Sequence, residues 1–244
     1  MVNKTGIVVV DSQFPGSANH LIAELKKKSQ NPFKYLINTH HHGDHTSGNL
    51  VFKDVVKNMV AHSNSLINQK NVAALQKTEE KQLYPNITFT EEWKTKVGSD
   101  LIKAHYFGAA HTNGDSIIHF ENTNIAHLGD LVFNRKFPYI DRTAGANIQS
   151  WIQVLDKVVN KFDSDTLFVF GHAADPEKII GTKEDIKAMQ NYLDKLLIFT
   201  GSEIKAGKTK EDILKNTVIP GAEDFTGEGI ERSLTAAYEE LTGQ

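Results

Sequence analysis

An α/β fold is predicted for this chain of 244 residues. Short runs of β-branched and other apolar residues alternate with longer segments whose apolar side chains recur at helical spacing. Several of the apolar runs end directly at His, Asp or Gly, and no linker, internal repeat or low-complexity tract interrupts the alternation. Because α/β proteins commonly place their sites where buried strands end, the same pattern predicts where the functional site lies. Residues 1–244 are predicted to form a single domain.

The first half of the chain is predicted to alternate strands and helices before it ends in a meander. The run Ile7-Val8-Val9-Val10 is typical of a buried strand, and Leu21, Ile22 and Leu25 share one face of a helix. The spacing predicts strands over 6–11, 35–39 and 58–62, helices over 17–28, 47–54 and 63–83, and short strands over 87–107 that turn at 98–100.

The second half begins with a predicted hairpin over 116–128 and then becomes mainly helical. The clearest helix covers 148–162, where Trp151, Leu155 and Val158 belong to one apolar stripe. A buried strand over 167–170 follows. Thr182 is a candidate cap of a long helix over 182–204, because Glu184 and Asp185 would lie in its first turn. A short capped turn at 209–212 and a last helix over 229–241 complete the prediction.

Composition excludes several classes of function. The formal net charge is −3, so there is no basic surplus for binding nucleic acid. No segment approaches the roughly 20 apolar residues that a membrane span requires. There is no cysteine, so disulfides and thiolate ligands are absent. The expected partner is therefore a small-molecule substrate, with neither nucleic acid nor membrane involved. No signal segment is recognised, and the compartment is left open between bacterial cytoplasm and periplasm, the periplasm applying if a signal has been removed.

The segment Thr39-His40-His41-His42-Gly43-Asp44-His45 carries the strongest functional signal. Crowded imidazoles and carboxylates are costly to hold together unless a cation binds them, and neutral imidazole nitrogen and carboxylate oxygen are good zinc ligands. His40 and His42 are two apart and can reach one ion, while Asp44 and His45 can reach a second ion beside it. Paired metal ions are common in hydrolytic enzymes.

Three further candidate ligands follow in order, each at a predicted strand end. They are His111 in Gly-Ala-Ala-His-Thr, Asp130 in His-Leu-Gly-Asp and His172 in Phe-Gly-His. The complete pattern, with the motif His-x-His-x-Asp-His intact at residues 40–45, resembles the metallo-β-lactamase superfamily. The resemblance extends from about Ile7 to the long helix near residue 200.

The resemblance implies a fold and a metal centre. The fold is a four-layer αββα sandwich of two mixed β-sheets flanked by helices. His40, His42 and His111 would hold one zinc ion, Asp44, His45 and His172 a second, and Asp130 would bridge the two. A hydroxide between the ions would act as the nucleophile. Two zinc ions per chain are expected, with iron or manganese left open as the native metal.

The implied function is a dinuclear zinc hydrolase that cleaves a small ester, lactone or amide, including β-lactams, with Asp44 and Asp130 as catalytic residues. Two alternatives stay open: a glyoxalase II-type thioesterase, and a catalytically idle member that binds metal or a small molecule. Tyr139 and Arg142 follow Asp130 and are candidates for contact with the substrate.

Residues around the ligands have predicted supporting roles. Asp11 closes the first strand, where the family carries an acid that braces the His loop. The side chain of His41 is expected to point away from the ions, to solvent or to a supporting contact. Only six residues precede Ile7, so either the chain is a truncated form or the N-terminal strand hairpin usual in the family is absent. An open sheet edge there would permit oligomerisation.

Overall fold

The computed structural model describes residues 1–244, which form two compact units. The first unit contains Met1–Tyr106 and Gly114–His127, and the second contains Phe107–Asn113 and Leu128–Gln244. The single-domain organisation inferred from the sequence stays a prediction. None of the helices combines the length and the apolar character that crossing a bilayer requires.

The first unit contains most of the strands. Its elements, in chain order, are β1 (Val2–Asn3), β2 (Gly6–Val10), α1 (Pro15–Lys28), β3 (Phe33–Ile37), α2 (Gly43–Thr46), β4 (Asn58–His62), α3 (Ser63–Gln76), β5 (Ile87–Phe89), β6 (Glu92–Val97), β7 (Asp100–His105), β8 (Ile117–Phe120) and the start of β9 (Ile125–Asn134). The predicted helix over 47–54 is a 3₁₀ turn at Asn49–Phe52.

Two sheets are built from these strands and from β10 (Leu167–Ala173) and β11 (Ile180–Gly181). The first sheet has the order β1-β2-β3-β4-β5, in which β2 to β5 run parallel. The second has the order β11-β10-β9-β8-β7-β6, with antiparallel pairing from β6 to β9. The predicted meander over 87–107 is therefore divided, because β5 pairs with β4 in the first sheet while β6 and β7 form a hairpin in the second.

Both faces of the first sheet are covered by apolar side chains. On one face Ile7 and Leu36 pack with Ala18 and Ile22 of α1. On the other face Val8, Ile37 and Val60 pack against residues of the second sheet such as Ile102 and Ile118. Alternation along β2 and β3 supplies both faces, as expected for strands buried on both sides. The core thus fixes β3, whose carboxyl end leads into the His cluster.

The N-terminal edge of the first sheet differs from the sequence prediction. Val2 and Asn3 form the short strand β1, which pairs antiparallel with Ile7 and Gly6 of β2. A minimal strand hairpin is therefore present where none was expected, because two residues and a tight turn suffice to pair part of the β2 edge. Asn3 fixes the turn, since its Oδ1 accepts hydrogen bonds from the backbone nitrogens of Thr5 and Gly6. Oligomerisation through an open edge stays a prediction.

The second unit is mainly helical. It contains the remainder of β9, α4 (Ile148–Lys161), β10, β11, α5 (Lys183–Lys205), α6 (Lys210–Ile213) and α7 (Ile230–Thr242). The predicted stripe of α4 is buried, with Trp151, Leu155 and Val158 fully enclosed. Thr182 caps α5 in a capping box with Asp185, which confirms the predicted start of that helix.

Candidate metal centre

The His cluster lies in the loop between β3 and α2. Backbone contacts fix this loop, since Ser116 N donates to Thr39 O and Thr46 N donates to His42 O. His40 and His45 are buried, while His42 and Asp44 are half-buried at the start of α2. The side chains that would hold a metal are therefore held by a short, well-bonded turn.

The ring of His40 is oriented by its neighbour. Thr39 Oγ1 donates to Asp11 Oδ2 at 2.7 Å, so the hydroxyl accepts from His40 Nδ1 at 3.1 Å. A proton on Nδ1 leaves the lone pair on Nε2. His40 Nε2 faces His42 Nδ1 at 3.1 Å, and these two nitrogens are the donor atoms that the loop offers to a cation.

Asp11 braces the loop, as the sequence predicted. Its carboxylate accepts hydrogen bonds from Thr39 N at 2.8 Å and from Thr39 Oγ1, and it lies 2.8 Å from His45 Nδ1. Because a carboxylate only accepts, His45 Nδ1 must carry the proton. His45 Nε2 then carries the lone pair that a metal ion could use, and it lies 3.5 Å from Asp44 Oδ2. Asp11 reaches this position with φ of 53°, a left-handed conformation that Asp tolerates better than most residues.

A second set of ligand candidates belongs to the second unit. His111 Nδ1 donates to Tyr139 O at 2.7 Å, which leaves the lone pair on Nε2. Asp130 Oδ2 lies 3.5 Å from His111 Nε2 and 3.2 Å from His172 Nε2. The His172 ring stacks on Phe133, with centroids 4.9 Å apart. One carboxylate oxygen therefore faces two imidazole nitrogens.

Asp130 does not lie at a strand end, contrary to the sequence prediction. It lies within β9, which continues to Asn134 because the apolar run Leu131-Val132-Phe133 is also extended and buried. Gly129 precedes it with φ of 51°, a conformation that glycine adopts at little cost. Gly171 gives the carboxylate its space, because a Cβ at that position would overlap Asp130 Oδ1.

The donor atoms of the predicted ligands fall into two groups that could each hold a metal ion. All donor atoms within a group lie within 4.8 Å of one another. The first group is His40, His42, His111 and Asp130, and the second is Asp44, His45, Asp130 and His172. All seven predicted ligands are included, and Asp130 belongs to both groups.

Of the two alternatives predicted for the His41 side chain, the one that faces solvent is wrong. It is 4% exposed, so its side chain does not point to solvent. Its ring lies 4.4 Å from the ring of His42, and a third group of close donor atoms joins His41, His42 and Asp141. The supporting role foreseen for His41 stays a prediction.

The two candidate substrate residues are placed differently. Tyr139 is 42% exposed. Partial burial, followed by the charge of Asp141, raises the pKa of its hydroxyl, and the charge of Arg232 opposes this shift. Arg142 donates to Glu240 Oε2 at 3.2 Å, and Glu240 also accepts from the first backbone nitrogens of α4. Glu240 therefore links α7 to the start of α4, and Arg142 ties the turn before α4 to the same carboxylate. The contact of Arg142 with substrate stays a prediction.

Two functional contacts were missed by the sequence analysis. The Tyr139 carbonyl orients His111, but every residue has a carbonyl and no residue type marks this one. The space at Gly171 is the second, and the position of this glycine directly before His172 in a strand is a usable sequence signal for close approach.

Comparison with known proteins identifies the class. The family profile described as the metallo-beta-lactamase superfamily matches residues 1–172, which is more than two thirds of the chain. The chain belongs to this superfamily, and its two mixed β-sheets flanked by helices are consistent with the superfamily's α/β sandwich fold. It is a metal-dependent hydrolase of that superfamily with a His/Asp cluster that could bind metal.

Individual relatives are distant. Metallo-beta-lactamase IND-1 from Chryseobacterium indologenes is 24% identical over 180 residues, covering 70% of this chain and 69% of that protein. A metallo-beta-lactamase structure from Pontibacter korlensis has a TM-score of 0.66 at 20% identity and covers 79% of this chain and 84% of its own. A double mutant of the sec-alkyl sulfatase PisA1 has a TM-score of 0.73 at 14% identity, covering 98% of this chain and 46% of its own. These structures show the fold alone.

Proposed function

We propose that the protein is a dinuclear zinc hydrolase that cleaves a small ester, lactone or amide. The observation that carries the proposal is Asp130, whose Oδ2 faces both His111 and His172 and which belongs to both groups of donor atoms. In this proposal His40, His42 and His111 hold one ion, Asp44, His45 and His172 hold the other, and Asp130 bridges them.

The donor set fits zinc. Tetrahedral zinc with bonds of ~2.0–2.1 Å places its ligand atoms about 3.3 Å apart. Three pairs match this spacing: His40 Nε2 with His42 Nδ1 at 3.1 Å, Asp130 Oδ2 with His111 Nε2 at 3.5 Å, and Asp130 Oδ2 with His172 Nε2 at 3.2 Å. Nitrogen and oxygen donors also suit iron and manganese, so the native metal is part of the test.

The surrounding residues prepare these ligands. Thr39, Asp11 and the Tyr139 carbonyl accept the Nδ1 protons of His40, His45 and His111, so that each Nε2 carries a lone pair. Two bound zinc ions would supply an activated water as nucleophile and positive charge for the developing oxyanion. The two carboxylates among the seven ligands neutralise only part of that charge, so Asp44 and Asp130 leave the centre electrophilic.

The first test is metal stoichiometry. Protein stripped with a chelator and titrated with zinc in a calorimeter should take up two ions per chain. Saturation at one ion would overturn the dinuclear assignment, and parallel titrations with Mn²⁺ and Fe²⁺ compare the metals.

The second test is a substrate panel on the zinc-loaded protein. Esters, lactones, β-lactams, thioesters and sulfate esters should be compared at equal concentration. Turnover fastest on an ester, lactone or amide supports the proposal, whereas a strong preference for thioesters favours the glyoxalase II-type alternative. Two bound ions with no turnover on any class would favour the idle alternative.

A further inference from the structure

Arg232 is the one arginine of this chain that is not in a salt bridge. Arg135 pairs with Asp224 at 2.6 Å, and Arg142 pairs with Glu240 at 3.2 Å. Arg232 is exposed, and no carboxylate lies within 4.0 Å of its guanidinium. Its positive charge is therefore not neutralised by a side chain of the protein.

The guanidinium of Arg232 lies on the ring of Tyr139, and another neighbour of that ring is the candidate ligand His111. Its Cζ is 5.8 Å from the centre of the Tyr139 ring, and the His111 ring is 6.2 Å from the same ring. Tyr139 also holds His111 Nδ1 through its carbonyl.

The backbone of Arg232 is fixed relative to that segment. Arg232 lies in the first turn of α7, and the next residue, Ser233, is buried and donates its hydroxyl to Pro138 O at 2.9 Å. The helix start is thereby tied to the residue that precedes Tyr139. The position of the positive charge is set by the same segment that sets His111.

Stacking on Tyr139 leaves the guanidinium able to bind an anion. A cation–π contact at an exposed site is weak and uses only the face of the group. The five N–H donors point outward from the edge in a planar fork that matches a carboxylate. If Arg232 served only to pack against Tyr139, the N–H donors along the edge of its guanidinium would have no role.

We propose that Arg232 is a specificity residue that binds a carboxylate on the acyl part of the substrate, so that the preferred substrates are carboxylate-bearing esters, lactones or amides. This inference rests on the proposed function and adds the substrate class. Tyr139 holds the guanidinium in place, and the anion sits against its edge while the reacting carbonyl occupies the metal centre.

The test compares two esters on the zinc-loaded protein. Mono-(4-nitrophenyl) succinate carries a free carboxylate, and methyl 4-nitrophenyl succinate has the same leaving group and acyl chain with the charge removed. For Arg232→Gln, KM for the anionic ester should rise about tenfold or more, since a charge-assisted contact is lost. The kcat of this variant for the anionic ester should stay within about twofold of the parent value. Its kcat and KM for the neutral ester should also stay within about twofold.

Two further variants separate binding from general charge effects. Arg232→Lys keeps the positive charge but loses the planar fork of N–H donors. Its KM for the anionic ester should therefore lie between those of the parent and Arg232→Gln. Lys27→Gln removes one positive charge from the exposed face of α1, where Lys27 is 71% exposed, and should leave both esters unaffected. Equal KM changes for the two esters, or the same change in Lys27→Gln, would overturn the inference while leaving the proposed hydrolase intact.

If the protein hydrolyses neither ester, the proposed function is refuted for these substrates. The role of Arg232 can still be tested by binding. Monomethyl succinate is then titrated into the zinc-loaded parent and Arg232→Gln in a calorimeter. At least about tenfold tighter binding to the parent supports the carboxylate site. Equal binding, or none to either, would refute it.

Discussion

Replacing Gly171 by Ala should displace Asp130, the proposed bridging ligand, although none of the candidate ligands is itself changed. The new Cβ would overlap Asp130 Oδ1 and would lie 2.9 Å from the carbonyl carbon and oxygen of Gly129. Gly129 cannot withdraw easily, because it precedes Asp130 within β9 and already has φ of 51°. The carboxylate must therefore move by about 1 Å or more to restore van der Waals contact.

A displacement of that size exceeds what a metal bond tolerates. Ligand distances in metal sites vary by only about 0.2 Å, so Asp130 would be lost to one or both ions. Changes to residues that merely support a ligand already lower metal affinity roughly 10–100-fold, and Gly171→Ala should reach at least the upper end of that range. Overpacking should also cost about 1–3 kcal/mol of stability, or a few degrees in Tm.

Gly201→Ala is the matched control. Gly201 lies inside α5, and the nearest atom to its added Cβ is Leu241 Cδ1 at an ordinary 3.7 Å. This variant should gain roughly 0.5–1 kcal/mol of stability with unchanged metal binding. Zinc titration by calorimetry, thermal melts and turnover are measured for both. Parental affinity for two ions in Gly171→Ala would refute the reasoning.

Three other substitutions have defined outcomes. Asp130→Asn should bind one zinc ion tightly instead of two and lose at least about 100-fold in turnover, since an amide bridges two cations poorly; two tight ions by calorimetry would contradict this. Asp11→Asn should lower zinc affinity roughly 10–100-fold, because the amide cannot accept all the protons offered by Thr39 and His45; parental affinity would exclude the bracing role. Burial lowers the pKa of His62 in the folded protein below its ordinary value of 6.5. The unfolded chain therefore binds this proton more readily than the folded protein does. Stability should fall as the pH drops below 6.5 towards the lowered pKa of the folded state. The decline in Tm of metal-free protein from about pH 7.5 to about pH 5.5 should be shallower in His62→Gln than in the parent, and an equal slope would show that other groups dominate.

The sequence predicted the secondary structure well where one local signal decided it. The stripe of α4, the cap of α5 and the runs of β2, β3 and β4 appear close to the expected residues, because burial and capping act over a few neighbouring positions. Sheet membership was not predictable in the same way. Strand β5 joins the first sheet because it pairs with β4, and nothing within 87–89 distinguishes that partner from β6.

The spacing of apolar residues also did not predict whether another element covers the apolar face of a helix. The helix predicted over 63–83 begins at Ser63 as expected but ends at Gln76. Its apolar residues Ile67, Val72 and Leu75 have helical spacing, yet all three are exposed, and Leu75 is 85% exposed. Helical periodicity describes which side chains share a face. Whether another element covers that face depends on chain segments far away in sequence.

Candidate ligands can be recognised in a sequence because metal binding restricts residue type. Only a few side chains offer nitrogen or oxygen donors to zinc, so seven of them in a recognisable order are visible in one sequence. The groups that orient the ligands are less restricted. Asp11 was identifiable as an acid at a strand end, whereas the Tyr139 carbonyl and the space at Gly171 depend on backbone positions.

These orienting groups explain why the centre can be prepared before a metal arrives. The Nδ1 protons of His40, His45 and His111 each have an acceptor, so each ring presents the lone pair of Nε2 without rearrangement. Asp11 serves two of these rings, directly at His45 and through Thr39 at His40. In the proposed dinuclear centre, a substitution at Asp11 should therefore weaken the binding of both ions, whereas a change that moves Tyr139 should act first on the ion assigned to His111. Zinc titrations that resolve two binding steps would separate the two cases, because Asp11→Asn should weaken both steps and a displaced Tyr139 carbonyl only one.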